Sequence, residues 1–396
     1  MAYSAVRGGR EAVEQAAALL ERRRSEGSSP VELEALEKRM GLLIDRIMGE
    51  AGFYAPRYAA LALKQSEGSP EEAVFLLRAY RSTLSRSCRS LPLDGADMRL
   101  LRRISAAFKD IPGGQFLGAT YDYTHRLLDF DLEEEKAEPG AGSPGAAGPE
   151  TSPEGPSGAQ RVSEQLRAEG LIAVNGDGDT GDEPWDITQQ PLPFPAPRSA
   201  RLQALARADS GFIGGLAYAA IRGFGPSHPT VGELRTGKIE VLIPHPLIEG
   251  ECIVAGDLVL TETETLFPRE EAEARRDEGE DPLRILGSGQ GERADKSTHS
   301  LSLGMGYGMV FGRNDTKAIA MSILDYTLSL PPAAGEESVL QNQEFVLLHG
   351  DCLEMSGFIS HLKLPHYVTF QSKLDRVRHS RQRGGEAVPG GEGEGP

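Results

Sequence analysis

The chain has 396 residues and a formal net charge of −17, from 42 basic and 59 acidic side chains. That length corresponds to about two to three domains and is enough to bury a substantial core. The acidity argues against nucleic-acid binding as the main activity. The charge is uneven: residues 131–185 carry a net −10 and residues 262–300 a net −5, so two short stretches hold nearly all of it. Three cysteines, Cys88, Cys252 and Cys352, are too few and scattered for a disulfide framework, which points to a reduced, cytoplasmic setting. No secretory leader and no apolar run long enough for a membrane span is visible.

The first 110 residues read as helical. Val13, Ala16, Ala17 and Leu20 recur at helical spacing and are expected in a core. Ser29-Pro30-Val31-Glu32 has the form of a capping box, followed by one continuous stripe of Leu33, Leu36, Met40, Leu43 and Ile47. Ser69-Pro70-Glu71-Glu72 repeats the device before Ala73, Leu76, Leu77 and Tyr80, and a further helix is expected over 97–108. Residues 133–160 have almost nothing to bury and read as a disordered insertion, with a short helix at 161–169 after it. The segment 269–298 reads as a second charged insertion and the tail from Arg381 as disordered.

The period then changes. Ile239–Ile243, Cys252–Leu260, Gly308–Phe311, Phe345–Leu348 and Tyr367–Phe370 are short apolar runs bounded by Gly and Pro and read as strands, with helices at 199–208 and 314–329 between them. The expected fold is α+β: a helical part over 1–132, an acidic insertion over 133–185, a mixed, largely antiparallel sheet with interspersed helices over 186–380 that carries a second acidic surface insertion at about 262–300, and a disordered tail over 381–396.

Several motifs invite a chemical reading. Gly232–Lys238 matches a phosphate loop except at its last place, which is Ile239 where Ser or Thr would hold Mg²⁺; a connecting turn is the plainer reading. Asp177, Asp179 and Asp182 resemble a calcium loop, but its twelfth position is Thr188 where a Glu is needed, leaving a solvated acidic linker. His361 and His366 are badly spaced for a helix or a strand, so a shared ion requires a turn, which Pro365 permits. Two histidines also fall short of a zinc ligand set, so substrate, water or a partner chain would have to complete it; otherwise they are ordinary loop residues. Lys363 between them is a candidate substrate contact, and His349, Asp351 and Cys352 are weaker ligand candidates, the alternative being a buried Cys beside a turn.

The segment 111–126 combines Gly113, Gly114 and Gly118 with Tyr121, Asp122, Tyr123, His125 and Arg126. Glycines permit close backbone approach, and aromatic, acidic, imidazole and guanidinium groups suit a nucleoside phosphate; a structural loop would have the same composition. In the similar stretch 221–235, Arg222 and Arg235 are candidate phosphate contacts and His228 and Glu233 candidate proton-transfer groups, an ordinary Gly/Pro turn being the plainer reading. The run Arg376, Arg378, Arg381, Arg383 has no aromatic interleaving and reads as a solvated helix end.

IPGGQFLGATYDYTHRLLDF (111–130), RSARLQALARADSGF (198–212), RGFGPSHP (222–229) and SHLKLPHY (360–367) closely resemble the PhnI family of the bacterial carbon–phosphorus lyase system, as do VRGG (6–9), ALALKQ (60–65) and FLLRAYRSTL (75–84). The resemblance implies a cytoplasmic subunit that, with PhnG, PhnH and PhnL partners, displaces the adenine of ATP with an alkylphosphonate to give a ribose 1-alkylphosphonate 5-triphosphate. It implies purine nucleosidase activity in isolation, ATP accompanied by Mg²⁺, self-association as a homodimer and contact with PhnJ. It implies His361 and His366 as zinc ligands at that contact. For the chemistry, Asp122 or Glu233 is expected to stabilise an oxocarbenium-like centre and His125 or His228 to protonate the purine, while Gly113, Gly114, Tyr121, Arg126, Arg222, Arg235 and Lys363 bind substrate. A scaffold that lends zinc ligands but little catalysis is the alternative. The sequence departs from the family where an Arg is expected before Gly306-Tyr307-Gly308: the residue is Met305.

Overall fold

A computed structural model describes residues 9–27, 29–133, 160–172, 183–224, 228–270, 301–330 and 338–385. The calcium-like Asp177, Asp179 and Asp182, most of the first insertion, residues 271–300 and the end of the tail lie outside them. The chain divides into two compact units, Glu32–Cys352 and a second made of Met1–Val31 with Leu353–Pro396.

The larger unit is built on a four-stranded antiparallel sheet in the order β1 (Arg99–Ile104), β2 (Thr230–Pro244), β3 (Cys252–Glu270), β4 (Leu301–Phe311). Helices α2 (Leu33–Arg39), α3 (Gly41–Ala51), α4 (Pro56–Gln65) and α5 (Pro70–Ser82) precede it, and α6 is Val162–Ala168. Helices α7 (Arg198–Arg207), α8 (Ser210–Ala219), α9 (Asp315–Ser329) and α10 (Gln343–Leu348) complete this unit. The fold is α+β, as expected.

Helix α9 lies on one face of the sheet because β4 lacks side chains there. Gly304, Gly306 and Gly308 alternate along the strand and meet Tyr326, Ser322 and Ala318, which are four residues apart on α9. A Cβ at Gly306 would sit 2.0 Å from the Ser322 carbonyl oxygen, and one at Gly308 2.1 Å from that of Ala318. Phe267 of β3 stacks on Tyr326 with ring centroids 3.9 Å apart. Leu205, Ile213, Ala217, Leu324 and Val346 fill the core around this contact. Asp325, in the last turns of α9, accepts the Tyr307 N–H at 3.0 Å and the Arg198 guanidinium at 2.7 Å, satisfying an edge-strand donor.

The opposite face is a polar layer. Glu233 and Arg235 of β2, Glu262 and Glu264 of β3 and Arg103 of β1 are all buried there, with α6 and the cluster of Ile111, Val162, Leu166, Ile172, Leu266 and Met305 over them. Residues 262–270, assigned from sequence to a surface insertion, are therefore strand. The Glu262 and Glu264 carboxylates are internal rather than solvated, Glu262 paired with Arg235 and Glu264 accepting from the Ser163 hydroxyl at 2.7 Å.

Other local readings are corrected too. Residues 99–104 are a strand, since pairing with β2 outweighs helix propensity. Gly232–Lys238 is strand interior, neither phosphate loop nor turn, and Gly237 packs on Met98. Phe345–Leu348 is helical, N-capped by Asn342, whose Oδ1 accepts the Phe345 N–H at 2.8 Å. The stripe from Leu33 breaks at Met40, and α2 starts at Leu33 with no side-chain cap, so Ser29 is not its N-cap. At α5 Ser69 does cap, accepting the Glu72 N–H.

A second buried polar group joins α3, α8 and α9. Glu50 accepts from Arg46 Nε at 2.9 Å and from the Ser210 hydroxyl at 2.8 Å, and Lys317 donates to the Ala208 carbonyl at 2.8 Å. Burial pulls the Lys317 ammonium down to about 8, and burial, reinforced by Glu50, pushes the Cys352 thiol up to about 12. That thiol is a packed neutral group and a poor metal ligand.

In the smaller unit, α1 (Gly9–Ser25) buries no residue, so Val13 and Leu20 are exposed rather than core. α11 (Cys352–Ser360) leads through a 3₁₀ turn, His361–Lys363, to α12 (Tyr367–Gly385). Tyr367–Phe370 is thus the start of a helix, not a strand. The run Arg376 to Arg383 lies exposed along α12.

Gly306→Ala is expected to cost about 3 kcal/mol by forcing α9 off the sheet, whereas Gly215→Ala, in an exposed and open part of α8, should gain about 0.5–1 kcal/mol; urea titration of both variants checks this. Lys317 near 8 when folded and 10.5 otherwise means the unfolded chain binds more protons between those values. Stability contributed by this group therefore climbs from pH 8 to 9. Lys317→Met should flatten that climb in the urea midpoint.

Candidate functional site

The segment 111–126 is held against the edge of β1. Phe116 exchanges backbone hydrogen bonds with Arg103 at 2.8 and 2.9 Å, and Gly113, Gly114 and Gly118 all take positive φ. At Gly118 a Cβ would lie 2.5 Å from the Leu101 carbonyl oxygen, so only glycine lets the loop approach the strand this closely.

Two adjacent arginines of β1 organise the loop, one on each face of the sheet. Arg102, buried, donates to Asp122 at 2.7 Å, to Asp315 at 3.1 Å and to the Leu117 carbonyl. One guanidinium therefore bridges a half-exposed carboxylate on the loop and another at the start of α9. Burial, with a contribution from Asp122 that Arg102 opposes, holds the Asp315 carboxyl above its ordinary value. Arg103, fully buried, donates to Glu233 at 2.6 Å, to Pro112 O and to Gln160 O at 2.8 Å.

Around Asp122 the loop presents Tyr121, Tyr123 and His125 to solvent. Arg126, at φ 55°, donates to the Tyr121 carbonyl at 2.8 Å and lies 3.5 Å from Asp122. The arrangement offers an anchored, solvent-facing carboxylate beside an imidazole, a guanidinium and two aromatic faces. Such a group can stabilise positive charge developing at a sugar carbon while a neighbour delivers a proton.

The second predicted set is not assembled in the same way. Glu233 is 2% exposed, and its second oxygen accepts the Val162 N–H at 2.9 Å. Arg235 is 3% exposed and forked onto Glu262, whose other oxygen accepts from Tyr307 at 2.9 Å. Both residues are occupied in the sheet and do not face solvent. His228 is exposed, with Nδ1 donating to the Pro229 carbonyl at 3.0 Å, and exposed Arg222 lies 5.8 Å over the Tyr218 ring. Asp351 pairs with Arg78 at 2.6 Å, and His349 donates to Phe345 O at 2.9 Å. A helix expected over 97–108 hides the opposite facing of Arg102 and Arg103, and nothing local marks Asp315, whose partner lies 213 residues away.

In the other unit, the 3₁₀ turn sets the His361 and His366 rings 5.5 Å apart at 61°. His361 Nδ1 donates to Phe358 O, and His366 Nδ1 donates to Leu364 O at 2.6 Å. A carbonyl oxygen only accepts, so a neutral ring so held leaves its Nε2 lone pair open, the arrangement that orients metal-ligating imidazoles. The pair thus fits half of a zinc site. Among the described residues no group of three or more His, Cys, Asp or Glu is gathered for a metal. Lys363 is exposed in the same turn.

No helix among the described residues is long and apolar enough to cross a membrane. The family model described as bacterial phosphonate metabolism protein (PhnI) matches residues 2–384. The alpha-D-ribose 1-methylphosphonate 5-triphosphate synthase subunit PhnI of Escherichia coli is 42% identical over 385 residues, 96% of this chain and 98% of its own. The subunit of the same name in Rhizobium meliloti is 40% identical over 396 residues, covering 98% and 97%. HtxH of Stutzerimonas stutzeri is 41% identical over 387 residues, 97% of each chain. On this match, extending through the strands, the glycine-rich loop and the histidine turn, the chain belongs to the PhnI family of bacterial phosphonate metabolism proteins.

Proposed function

We propose that this chain is a cytoplasmic subunit of an alpha-D-ribose 1-methylphosphonate 5-triphosphate synthase within a carbon–phosphorus lyase system, and that it contributes directly to displacing adenine from ATP. Full-length likeness to two synthase subunits supports the role. The observation that carries the chemistry is Asp122: a half-exposed carboxylate fixed by a buried guanidinium and surrounded by groups suited to a nucleoside.

In this reading a phosphonate oxygen bonds to C1′ as the C1′–N9 bond breaks, and adenine leaves with a proton. Asp122 stabilises the cationic character at C1′, and His125, or His228 if it approaches, supplies the proton. Arg126 and Arg222 face solvent and are available to the Mg²⁺-associated triphosphate, with Gly113, Gly114 and Tyr121 shaping the loop around the nucleoside. Water in place of phosphonate gives the purine nucleosidase reaction of the isolated chain. PhnG, PhnH, PhnL and PhnJ are the partners in this reading, with a second copy of the chain. The exposed run Leu127, Leu128, Phe130 and Leu132, together with the uncovered stripe of α1, supports association.

His361 and His366 would hold zinc through Nε2, completed by a partner chain, and Lys363 would lie beside a bound anion. When bound, the ion supplies a Lewis-acidic positive centre. With Nδ1 of each ring donating to a backbone carbonyl, a neutral ring would offer its Nε2 lone pair to the ion. The scaffold reading, in which partners supply the ribosyl chemistry, is favoured by the burial of Glu233 and Arg235 in structural pairs.

Adenine release from ATP with methylphosphonate, measured for the chain alone and with its partners, separates the two readings. Asp122→Asn should lower the rate about 100-fold with circular dichroism unchanged; an unaltered rate defeats the assignment of Asp122. Glu233→Gln should act differently, because it weakens the partner of a fully buried Arg103 and so lowers the melting temperature before any effect on turnover. For the metal, His361→Ala and His366→Ala should each remove zinc from the purified complex, read by elemental analysis. Retention of one zinc per chain in both variants overturns the ligand assignment.

A further inference from the structure

Three guanidinium groups converge at the C-terminal end of α3, and one of them has no partner among the described residues. Arg78 donates to the Glu50 carbonyl at 2.6 and 3.2 Å and pairs with Asp351. Arg81 donates to the carbonyls of Ala51 at 2.8 Å and Gly52 at 3.1 Å. Both therefore close orphan carbonyls at a helix end, a sufficient structural reason for their presence. Arg207, in the last turn of α7, has no such reason. A Cβ built on Gly52 would lie 3.1 Å from both Arg207 Nε and Arg81 Nη1, so the groups face one another across this glycine. Among the described residues Arg207 makes no hydrogen bond and no ion pair, and its Nε is buried.

The charge does not balance. The carboxylates that face the cluster are Asp351, taken by Arg78, and Asp186, paired with Arg86 at 2.9 Å. The Glu50 carboxylate turns away to Arg46 and Ser210. Arg78, Arg81, Arg86 and Arg207 thus stand against two acids. Burial, with Arg78 and Arg81 next in order, pulls the Arg207 guanidinium down to about 10. A desolvated cation beside two others is costly unless an anion offsets it. Arg78, Arg81 and Arg207 are each only partly buried, so a small ligand has access.

We propose that Arg207, with Arg81 and Arg78, forms a binding site for a phosphate-class oxyanion. A tetrahedral dianion placed there accepts from Arg207, which has all its donors free, and is shared with the outer donors of Arg81. The site is separate from the loop around Asp122, and nothing in the ribosyl-transfer reading is needed for it. Phe53 follows Gly52 and begins an aromatic row, 6.4 Å from Tyr80, which is 4.9 Å from Tyr58. A ligand bearing a base beyond its phosphates would find a ring surface beside the guanidinium groups.

The test is thermal unfolding of the full chain with inorganic phosphate, methylphosphonate or ATP, against sodium chloride of equal ionic strength, together with calorimetric titration of the same three probes. The expected result is a rise in the wild-type midpoint of about 3 °C or more with at least one probe and none with chloride. Phosphate alone identifies a free-anion site, and a larger response to ATP identifies a nucleotide site. Arg207→Met should lose that rise and the calorimetric binding while unfolding at or above the wild-type temperature without ligand, since it removes an unpaired, partly desolvated charge. Arg81→Gln, whose fold is secured by the remaining contacts of α3 and α5, should weaken binding at least tenfold. The proposal is overturned if no probe binds the wild type, if chloride gives the same rise, or if Arg207→Met responds as the wild type does.

Discussion

The larger unit depends on one close approach: α9 rests on the bare backbone of β4 at Gly304, Gly306 and Gly308. Without side chains between them, helix and strand meet at a distance that no other residue type allows. That contact seats Tyr326 on Phe267 and carries the core of α7, α8 and α10. It also fixes where each end of α9 lies. Asp315 at its start meets Arg102, and Asp325 near its end meets the edge of β4 and Arg198.

The two faces of the sheet solve different problems. Apart from Arg102 at its β1 edge, the α9 face is apolar and threonine-lined, with Thr236 and Thr261 hydrogen-bonded to each other at 2.9 Å. The other face carries charges in matched pairs, Arg103 with Glu233 and Arg235 with Glu262. Such pairs add little net stability over an apolar core, yet removing one partner leaves a buried charge and is strongly destabilising. They specify the register of β1, β2 and β3, because a one-residue slip would turn every one of these charges to the apolar face.

Much of this was legible in the sequence, and the misses have physical causes. The α+β class followed from the change of period near the middle of the chain, and α5, α7 and α9 carried strong local signals. The strand at 99–104 was read as helix because its alternation runs through arginines, which look solvent-facing until a sheet of carboxylates is present to receive them. Glu262 and Glu264 looked like loop acids for the same reason. Phe345–Leu348 and Tyr367–Phe370 are short apolar runs, for which period alone does not separate helix from strand. At the candidate site, Asp122, His125, Tyr121 and Arg126 were visible as a cluster in one segment. The arginines that anchor them were not, since nothing local marks a residue that acts through a contact 20 or 213 positions away.

Asp315 and Asp325 are ten residues apart on α9, about 15 Å along its axis, and each is tied to a different edge of the sheet. The helix thus acts as a strut of set length between the Asp122 loop and the far strand. Sliding it would carry Ala318, Ser322 and Tyr326 off the bare glycines that admit them, so the strut does not shorten or shift. Through Arg102, which holds Asp315 and Asp122 on one guanidinium, the start of that strut also sets the distance at which the glycine-rich loop stands from the sheet.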